Sequence, residues 1–95
     1  MALDRLGDWD RFSLQVLKHI KGYTIPQYQS QDAEQDQVNI WTAADCVTAI
    51  RKYTSRFGKN SRGSKEALRD LLKIAHYAQF AYDKLKQELN EKDVY

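Results

Sequence analysis

The chain contains little cysteine, proline or glycine, with one Cys, one Pro and four Gly among its 95 residues. The single cysteine, Cys46, cannot form an internal disulfide, and neither a CxxC pair nor the cysteine spacing of a zinc site occurs. The sequence also lacks the roughly 18 consecutive apolar residues of a membrane span and the apolar stretch of a secretory signal peptide. We therefore expect a cytoplasmic protein with no membrane partner, and the sequence predicts neither a metal site nor a cofactor.

The composition is that of a folded protein, with 42% hydrophobic and 29% charged residues. A length of 95 residues predicts a single domain over residues 1–95. Because so short a chain buries a small fraction of its surface, self-association is an expected source of stability.

Charge is distributed unevenly along the chain. The whole sequence carries a net charge of +2, whereas residues 51–76 hold eight Lys or Arg against Glu66 and Asp70, a net charge of +6. The remaining residues therefore carry −4. This separation favours a local anionic partner over general attraction to polyanions.

Apolar residues recur at spacings of three and four in three segments, which is the pattern of amphipathic helices. The sequence therefore predicts an all-α domain of three helices, at about residues 8–21, 42–58 and 64–91. Thr42 and Asp45 have the spacing of a capping box at the start of the second helix. The predicted apolar face of that helix consists of Cys46, Val47, Ile50, Tyr53 and Phe57.

The connection between the first two helices, residues 22–41, is rich in glutamine and shows neither helical nor strand periodicity. We expect an irregular segment there, with Gly22 ending the first helix. Ile25 precedes Pro26, which disfavours helical backbone, so the sequence also allows a short strand near residues 23–25.

A heptad-like row of apolar residues runs along the third helix. Its members are Leu68, Leu71, Ala75, Ala78, Tyr82, Leu85 and Leu89. Such a row requires a partner helix, and it predicts a homo-oligomer, most simply a dimer, formed through this face. A helical interaction module that binds no ligand is therefore one functional hypothesis.

Cations follow helical spacing on both sides of the loop between the second and third helices. The predicted phosphate-binding residues are Lys52, Arg56, Lys59, Arg62, Arg69, Lys73 and His76. If the two rows border one groove, a nucleotide or a nucleic acid is the natural ligand, because several cations release counterions together. The rows also fit a solvated helix surface in which Asp70 pairs with Lys73 or Arg56, and the sequence leaves both interpretations open.

The loop itself resembles a phosphate-binding loop only in having Gly58 and Gly63 separated by four residues. A P-loop requires Lys and then Ser or Thr after the second glycine, and a strand before the loop, so this interpretation is excluded. Backbone amides at the start of the third helix, with Arg62 and Lys65 beside them, could bind an anion weakly. An ordinary, solvated glycine-containing turn accounts for the pattern more simply than an anion site does.

Evidence for catalysis is weaker than evidence for binding, because no HExxH motif or pair of carboxylates accompanies the histidines. His76 fits either a proton-transfer role or a structural hydrogen bond. Cys46 lies on an apolar face, which favours an inert core thiol. Trp41 and Tyr53 fit either base stacking or core packing.

Two short motifs resemble a known family. Lys52-Tyr53, Arg56 and Gly58-Lys59, followed by Asp70-Leu71, Lys73 and His76-Tyr77, are similar to the small SaV-like domain of unknown function found in phages and prophages. The similarity covers about residues 42–85, and this chain differs in its loop, residues 60–63, and in its glutamine-rich segment. Some phage proteins that carry the domain are described as nucleotide kinases.

The resemblance implies a phage-related protein in which the motif residues form one cluster where the two helices meet. The implied members are Lys52, Tyr53, Arg56, Asp70, Lys73, His76 and Tyr77. Tyr53, Asp70 and Tyr77 are expected to be its structural part. The resemblance leaves open whether the cluster binds a ligand or holds the helices together.

Overall fold

A computed structural model describes residues 2–26, 37–59 and 63–90. The chain divides into two compact units, Met1–Gln35 and Asp36–Tyr95. Every regular element in the described ranges is helical, and three of these elements are α-helices. The predicted all-α, three-helix fold is therefore confirmed. None of the helices in these ranges combines the length and apolar character needed to cross a bilayer.

The first unit contains helix α1, Arg5–His19, which begins three residues earlier than the sequence predicts. The Asp4 side chain caps it by accepting a hydrogen bond of 3.1 Å from the Gly7 amide. A π-helical turn, Ile20–Thr24, follows directly. Gly22 lies inside this turn, so it does not end the helix.

The strand predicted near residues 23–25 is wrong, because this segment is helical. The amide of Ile25 donates a hydrogen bond to the carbonyl of Ile20 at the end of the π-helical turn. This bond holds Ile25 in right-handed helical backbone, with φ −61° and ψ −50°. The preference imposed by Pro26 is a bias and not a prohibition, and here the local hydrogen bond outweighs it.

The second unit contains a 3-10 helix, Gln37–Ile40, and helices α2, Ala43–Ser55, and α3, Ser64–Leu89. The 3-10 helix lies in the segment predicted to be irregular, whose residues 27–36 are outside the described ranges. The predicted capping box is confirmed: the Thr42 hydroxyl accepts from the Asp45 amide at 3.2 Å, and the Asp45 carboxylate accepts from the Thr42 amide at 2.9 Å.

The turn after α2 begins earlier than predicted, because α2 ends at Ser55 instead of near residue 58. Gly58 and Gly63 have φ of +78° and +96°, a backbone region that side chains with a Cβ rarely adopt. Helix α3 ends at Leu89, and the next residue, Asn90, adopts the left-handed backbone that is common at the C-terminal end of a helix.

Helices α2 and α3 form an antiparallel hairpin, which is held by contacts at both of its ends. Near the start of α2, the Ala43 amide donates to the Glu88 carboxylate at 3.3 Å. At the end of α2, Arg56 binds Asp70 in the first half of α3. Between these contacts Cys46 is fully buried, with no exposed surface.

The apolar faces of the hairpin differ from the prediction. Val47 in α2 is 38% exposed and Phe57, in the turn after α2, is 61% exposed, although Cys46 is buried as expected. In α3, the leucines of the heptad row are exposed, and the side that faces α2 instead carries Asp70 and Glu88. The leucine row of α3 therefore does not form the contact between the two helices of the hairpin.

Candidate functional site

The ring of Tyr53 lies at the centre of a group of cations from both helices of the hairpin. The Arg56 guanidinium carbon is 4.9 Å from the ring centroid, the Lys73 ammonium 5.4 Å and the Lys52 ammonium 5.8 Å. These distances permit cation–π attraction, which partly offsets the repulsion among the three charges. Cations from both predicted rows therefore lie around one aromatic ring.

The position of this group follows from helix geometry. Tyr53 is directed toward α3, Arg56 caps the C-terminal end of α2, and Lys73 is on the α3 turn that follows Asp70. Lys52 immediately precedes Tyr53, so it lies about 100° further round α2. This places Lys52 at the edge of the helix interface, where its side chain remains exposed.

Arg56 and Asp70 form a two-pronged ion pair beside the ring. Nε donates to Oδ2 at 2.8 Å and Nη2 donates to Oδ1 at 2.5 Å, while Asp70 is only 2% exposed. The hydrogen bond to Asp70 raises the pKa of the Arg56 guanidinium, while burial acts in the opposite direction. Arg56 is thus a permanent cation whose donors are directed at one carboxylate.

Two acids moderate the positive charge of this surface. The Lys73 ammonium is 4.0 Å from Asp70. Glu66, one turn before Asp70, approaches Arg56 at 3.9 Å and Arg69 at 3.7 Å. Arg56, Arg69 and Lys73 therefore belong to one network of charges, with the two acids on its α3 side.

Aromatic rings extend from the other side of Tyr53. Tyr77 stacks with Tyr53 at 5.8 Å between centroids and with Trp41 at 6.0 Å. Tyr77 also contacts Phe80 at 6.1 Å, and the His76 ring lies 4.3 Å from that of Phe80. These contacts favour a packing role for the rings of Trp41 and Tyr53 over a role as open platforms for bases.

The structure brings together most of the residues singled out by the sequence. The cluster around Tyr53 contains Lys52, Arg56, Asp70, Lys73 and Tyr77, with Arg69 added through Glu66 and His76 through Phe80. Lys59 is exposed in the turn after α2, where its amide donates to the Arg56 carbonyl at 2.9 Å. Arg62 lies outside the described residues. Phosphate binding by this set remains a prediction.

Sequence reasoning missed the contacts that two neighbours, Glu66 and Trp41, make with the cluster. Glu66 had a usable signal, because it lies four residues before Asp70 and three before Arg69, on the same side of the helix. Trp41 had no such signal, since its stacking on Tyr77 joins positions far apart in the chain.

Nucleophilic chemistry at Cys46 is disfavoured by its surroundings. Its thiol is completely buried, and burial raises its pKa, although the charge of Lys84 acts in the opposite direction. Across residues 2–26, 37–59 and 63–90, no three His, Cys, Asp or Glu side chains converge into a potential metal site. The features of the hairpin that could bind a ligand are therefore its charged and aromatic side chains.

Comparison with models of protein families, with curated proteins and with solved structures finds no match to this chain.

Proposed function

We propose that the protein binds a phosphate-bearing ligand, a nucleic acid or a nucleotide, through the basic flank of the hairpin, which consists of Lys52, Arg56, Arg69 and Lys73. The observation that carries this proposal is the gathering of three cations from two helices within 5.8 Å of the Tyr53 centroid. Because like charges repel, an anion bound beside them lowers their electrostatic free energy.

The cations have different roles in this proposal. Arg56 stays with Asp70, because withdrawing it would leave a buried carboxylate without its principal partner. Lys52 and Arg69 are exposed and can reach phosphate oxygens, and Lys73 supplies charge from a half-buried position. Arg56 therefore acts as a positioning residue that shapes the flank.

The resemblance to the SaV-like domain supports the same surface, since five of its motif residues, Lys52, Arg56, Asp70, Lys73 and Tyr77, lie around Tyr53. It also supports a phage-associated accessory role for this protein. We propose binding without turnover, because the sequence supplies neither a phosphate loop nor a pair of metal-binding carboxylates. A cytoplasmic location is part of the proposal, since a single cysteine provides no disulfide framework.

The test is fluorescence anisotropy with labelled single-stranded DNA, duplex DNA, RNA and a nucleotide at several salt concentrations. The Lys52→Gln/Lys73→Gln double variant should bind at least about tenfold more weakly, with a flatter salt dependence, because two fewer cations release counterions. The matched control is Lys18→Gln/Lys21→Gln, which removes the same charge from exposed positions in the first unit.

Absence of binding at low ionic strength would overturn the proposal, as would equal losses in the two double variants. Circular dichroism of both variants checks that the helices remain folded. The relative affinities of the four probes identify which phosphate-bearing ligand the flank prefers.

Self-association is a second candidate function, favoured by the exposure of the heptad row. Leu68, Leu71, Tyr82, Leu85 and Leu89 are 43–63% exposed. Water contact at so many apolar positions of one helix is unfavourable, and a second apolar surface would relieve it. Sedimentation of the full chain tests this function, because a single monomeric species at high concentration excludes it.

A further inference from the structure

We propose that a second copy of this chain packs in an antiparallel orientation against the leucine flank of the hairpin. The leucine flank consists of Leu68, Leu71, Ala75, Ala78, Tyr82, Leu85 and Leu89 of α3, together with Val47 of α2. This packing rests on the self-association proposed above and gives it a surface, an orientation and a register.

The leucine flank lies beside the α2–α3 interface and not within it. Asp70 and Glu88 both bind α2, and each is followed immediately by a leucine of the row, Leu71 and Leu89. One residue advances the helix by about 100°, because an α-helix has 3.6 residues per turn. The leucines are therefore turned away from α2 and remain available to a partner.

Helix α2 extends the same side of the hairpin. Val47 immediately follows the buried Cys46, as Leu71 follows Asp70. Because the two helices are antiparallel, a forward step of one residue turns both side chains toward the same side of the hairpin. Val47, which is 38% exposed, therefore widens the apolar surface beyond a single helix.

The basic flank occupies the opposite side. Lys52 precedes Tyr53 and Arg69 precedes Asp70, so each is rotated backward by about 100° from a residue in the interface. The cations and the leucines are consequently on separate sides, and a partner on the leucine flank leaves the cations uncovered.

The surface is large enough for a specific dimer. The row runs from Leu68 to Leu89, 21 residue steps or about 32 Å at 1.5 Å per step, and two adjacent helices are roughly 20 Å wide. The resulting face of roughly 600 Å² approaches the ~800 Å² that each partner buries in a typical stable interface. Among the described residues, only Val38, Ala43 and Cys46 are buried apolar residues, so a partner would also supply a missing core.

The order of large and small residues specifies the antiparallel register. With the two-fold axis near residue 80, Ala75 faces Leu85 of the second copy and Ala78 faces its Tyr82. Leu71 then faces Leu89. Every alanine is thus opposite a large side chain, which fills space well. A parallel dimer would instead place Ala75 opposite Ala75 and Ala78 opposite Ala78. Two adjacent layers of the interface would then contain only small side chains and would be poorly filled.

Charge favours the same orientation. The loop end of the hairpin, residues 51–76, carries +6, whereas residues 42–50 and 77–90 carry −1, from Asp45, Asp83 and Glu88 against Lys84 and Lys86. A parallel dimer would bring two strongly positive ends together. An antiparallel dimer sets each positive end beside the slightly negative end of the other copy.

The first test is sedimentation of full-length Leu85→Lys, with Leu17→Lys as the matched control. The two leucines are 48% and 46% exposed, but Leu17 lies on α1, outside the leucine flank. Leu85→Lys should weaken the dimer by about a hundredfold or more, because each interface contains the substitution twice and must bury its charge. Leu17→Lys should leave the dimer unchanged.

The second test determines orientation with a short bis-maleimide linker. Leu71→Cys and Leu89→Cys proteins, one of them mass-tagged, are treated separately and as a mixture. Positions 71 and 89 are about 27 Å apart along one helix. The antiparallel dimer predicts cross-linking between the two variants in the mixture and none within either variant alone. Because the native Cys46 is buried, the wild-type protein should not react with the linker and serves as the control.

Each outcome has a separate meaning. A wild-type monomer at high concentration overturns both this packing and self-association. A dimer that persists in Leu85→Lys overturns the leucine flank but leaves self-association standing. Cross-linking of each variant to itself overturns the antiparallel orientation. Equal loss of the dimer in Leu85→Lys and Leu17→Lys also contradicts the assigned surface.

Discussion

The guanidinium of Arg56 donates two hydrogen bonds to the carboxylate of Asp70, at 2.8 and 2.5 Å, and thereby joins the end of α2 to the first half of α3. Asp70 is almost fully buried, so water cannot substitute for these donors. Fourteen residues separate the two partners in sequence. The pair consequently fixes the loop end of the hairpin as well as the charge distribution around Tyr53.

Replacing this carboxylate should destabilise the fold. We expect Asp70→Asn to lower the free energy of unfolding by about 2 kcal/mol, because it removes a charged acceptor from buried hydrogen bonds. Urea denaturation followed by circular dichroism measures the change. The control is Asp8→Asn, whose ion pair with Arg11 is exposed on α1 and should contribute less than about 0.5 kcal/mol. Equal effects of the two substitutions would contradict a structural role for Asp70.

The buried thiol of Cys46 should react slowly. Burial raises its pKa, so we expect DTNB to modify the folded protein at least about a hundredfold more slowly than the unfolded protein. The same shift makes stability depend on pH. The stabilising contribution is complete below the ordinary thiol pKa and is lost as pH rises through the raised value, because only the neutral thiol suits the buried position.

Absorbance of the thiolate during a pH titration measures that pKa directly. Cys46→Ala should remove the part of the stability loss at high pH that comes from ionisation of this thiol. A native thiol that reacts as rapidly as the unfolded one would show that Cys46 is accessible.

The turn after α2 requires glycine at position 58. Gly58 has φ of +78° and open space around it. A side chain at this position would therefore clash with no neighbour, but its backbone would be strained. We expect Gly58→Ala to destabilise the protein by about 1 kcal/mol. Gly22→Ala is the control: its site is equally open but its backbone is helical, so this substitution should be neutral or stabilising. Thermal unfolding compares the two, and a stable Gly58→Ala variant would contradict the strained turn.

The capping box should be a local source of stability for α2. Thr42→Ala removes the oxygen that accepts from the Asp45 amide, and we expect a loss of about 1 kcal/mol. Thr48→Ala removes a threonine hydroxyl that bonds only to the Ala44 carbonyl within the same helix, and it should have little effect. Chemical denaturation distinguishes the two. A loss of stability in Thr48→Ala as large as that in Thr42→Ala would exclude a specific contribution from the cap.

Local sequence signals predicted the helices well, because they act within a few residues. The spacing of apolar positions located all three helices, and Thr42 with Asp45 marked the start of α2 correctly. The π-helical turn was missed because Gly22 and the Ile25-Pro26 pair resemble terminators, although the helical backbone continues through Gly22 to Ile25, whose amide bonds to the Ile20 carbonyl.

The packing side of α3 could not be predicted from its periodicity. Two stripes on this helix repeat with helical spacing, one containing the heptad leucines and one containing Asp70, Tyr77 and Glu88. The leucines make the stronger hydrophobic signal, yet the polar and aromatic stripe contacts α2. That choice depends on partners such as Arg56 and Tyr53, which no pattern within α3 contains. The sequence did identify Arg56 and Lys73 as possible partners of Asp70, because their charges and spacing allowed it.

Glu88 and Asp70 bind opposite ends of α2, and this arrangement determines how the hairpin opens. Fraying at either terminus of α2 must break a contact with α3, so neither helix can unwind far while the other remains intact. Backbone amides in the middle of both helices should therefore exchange with deuterium in one cooperative opening event. The acidic side chains of α3 thus make the two helices behave as one kinetic unit.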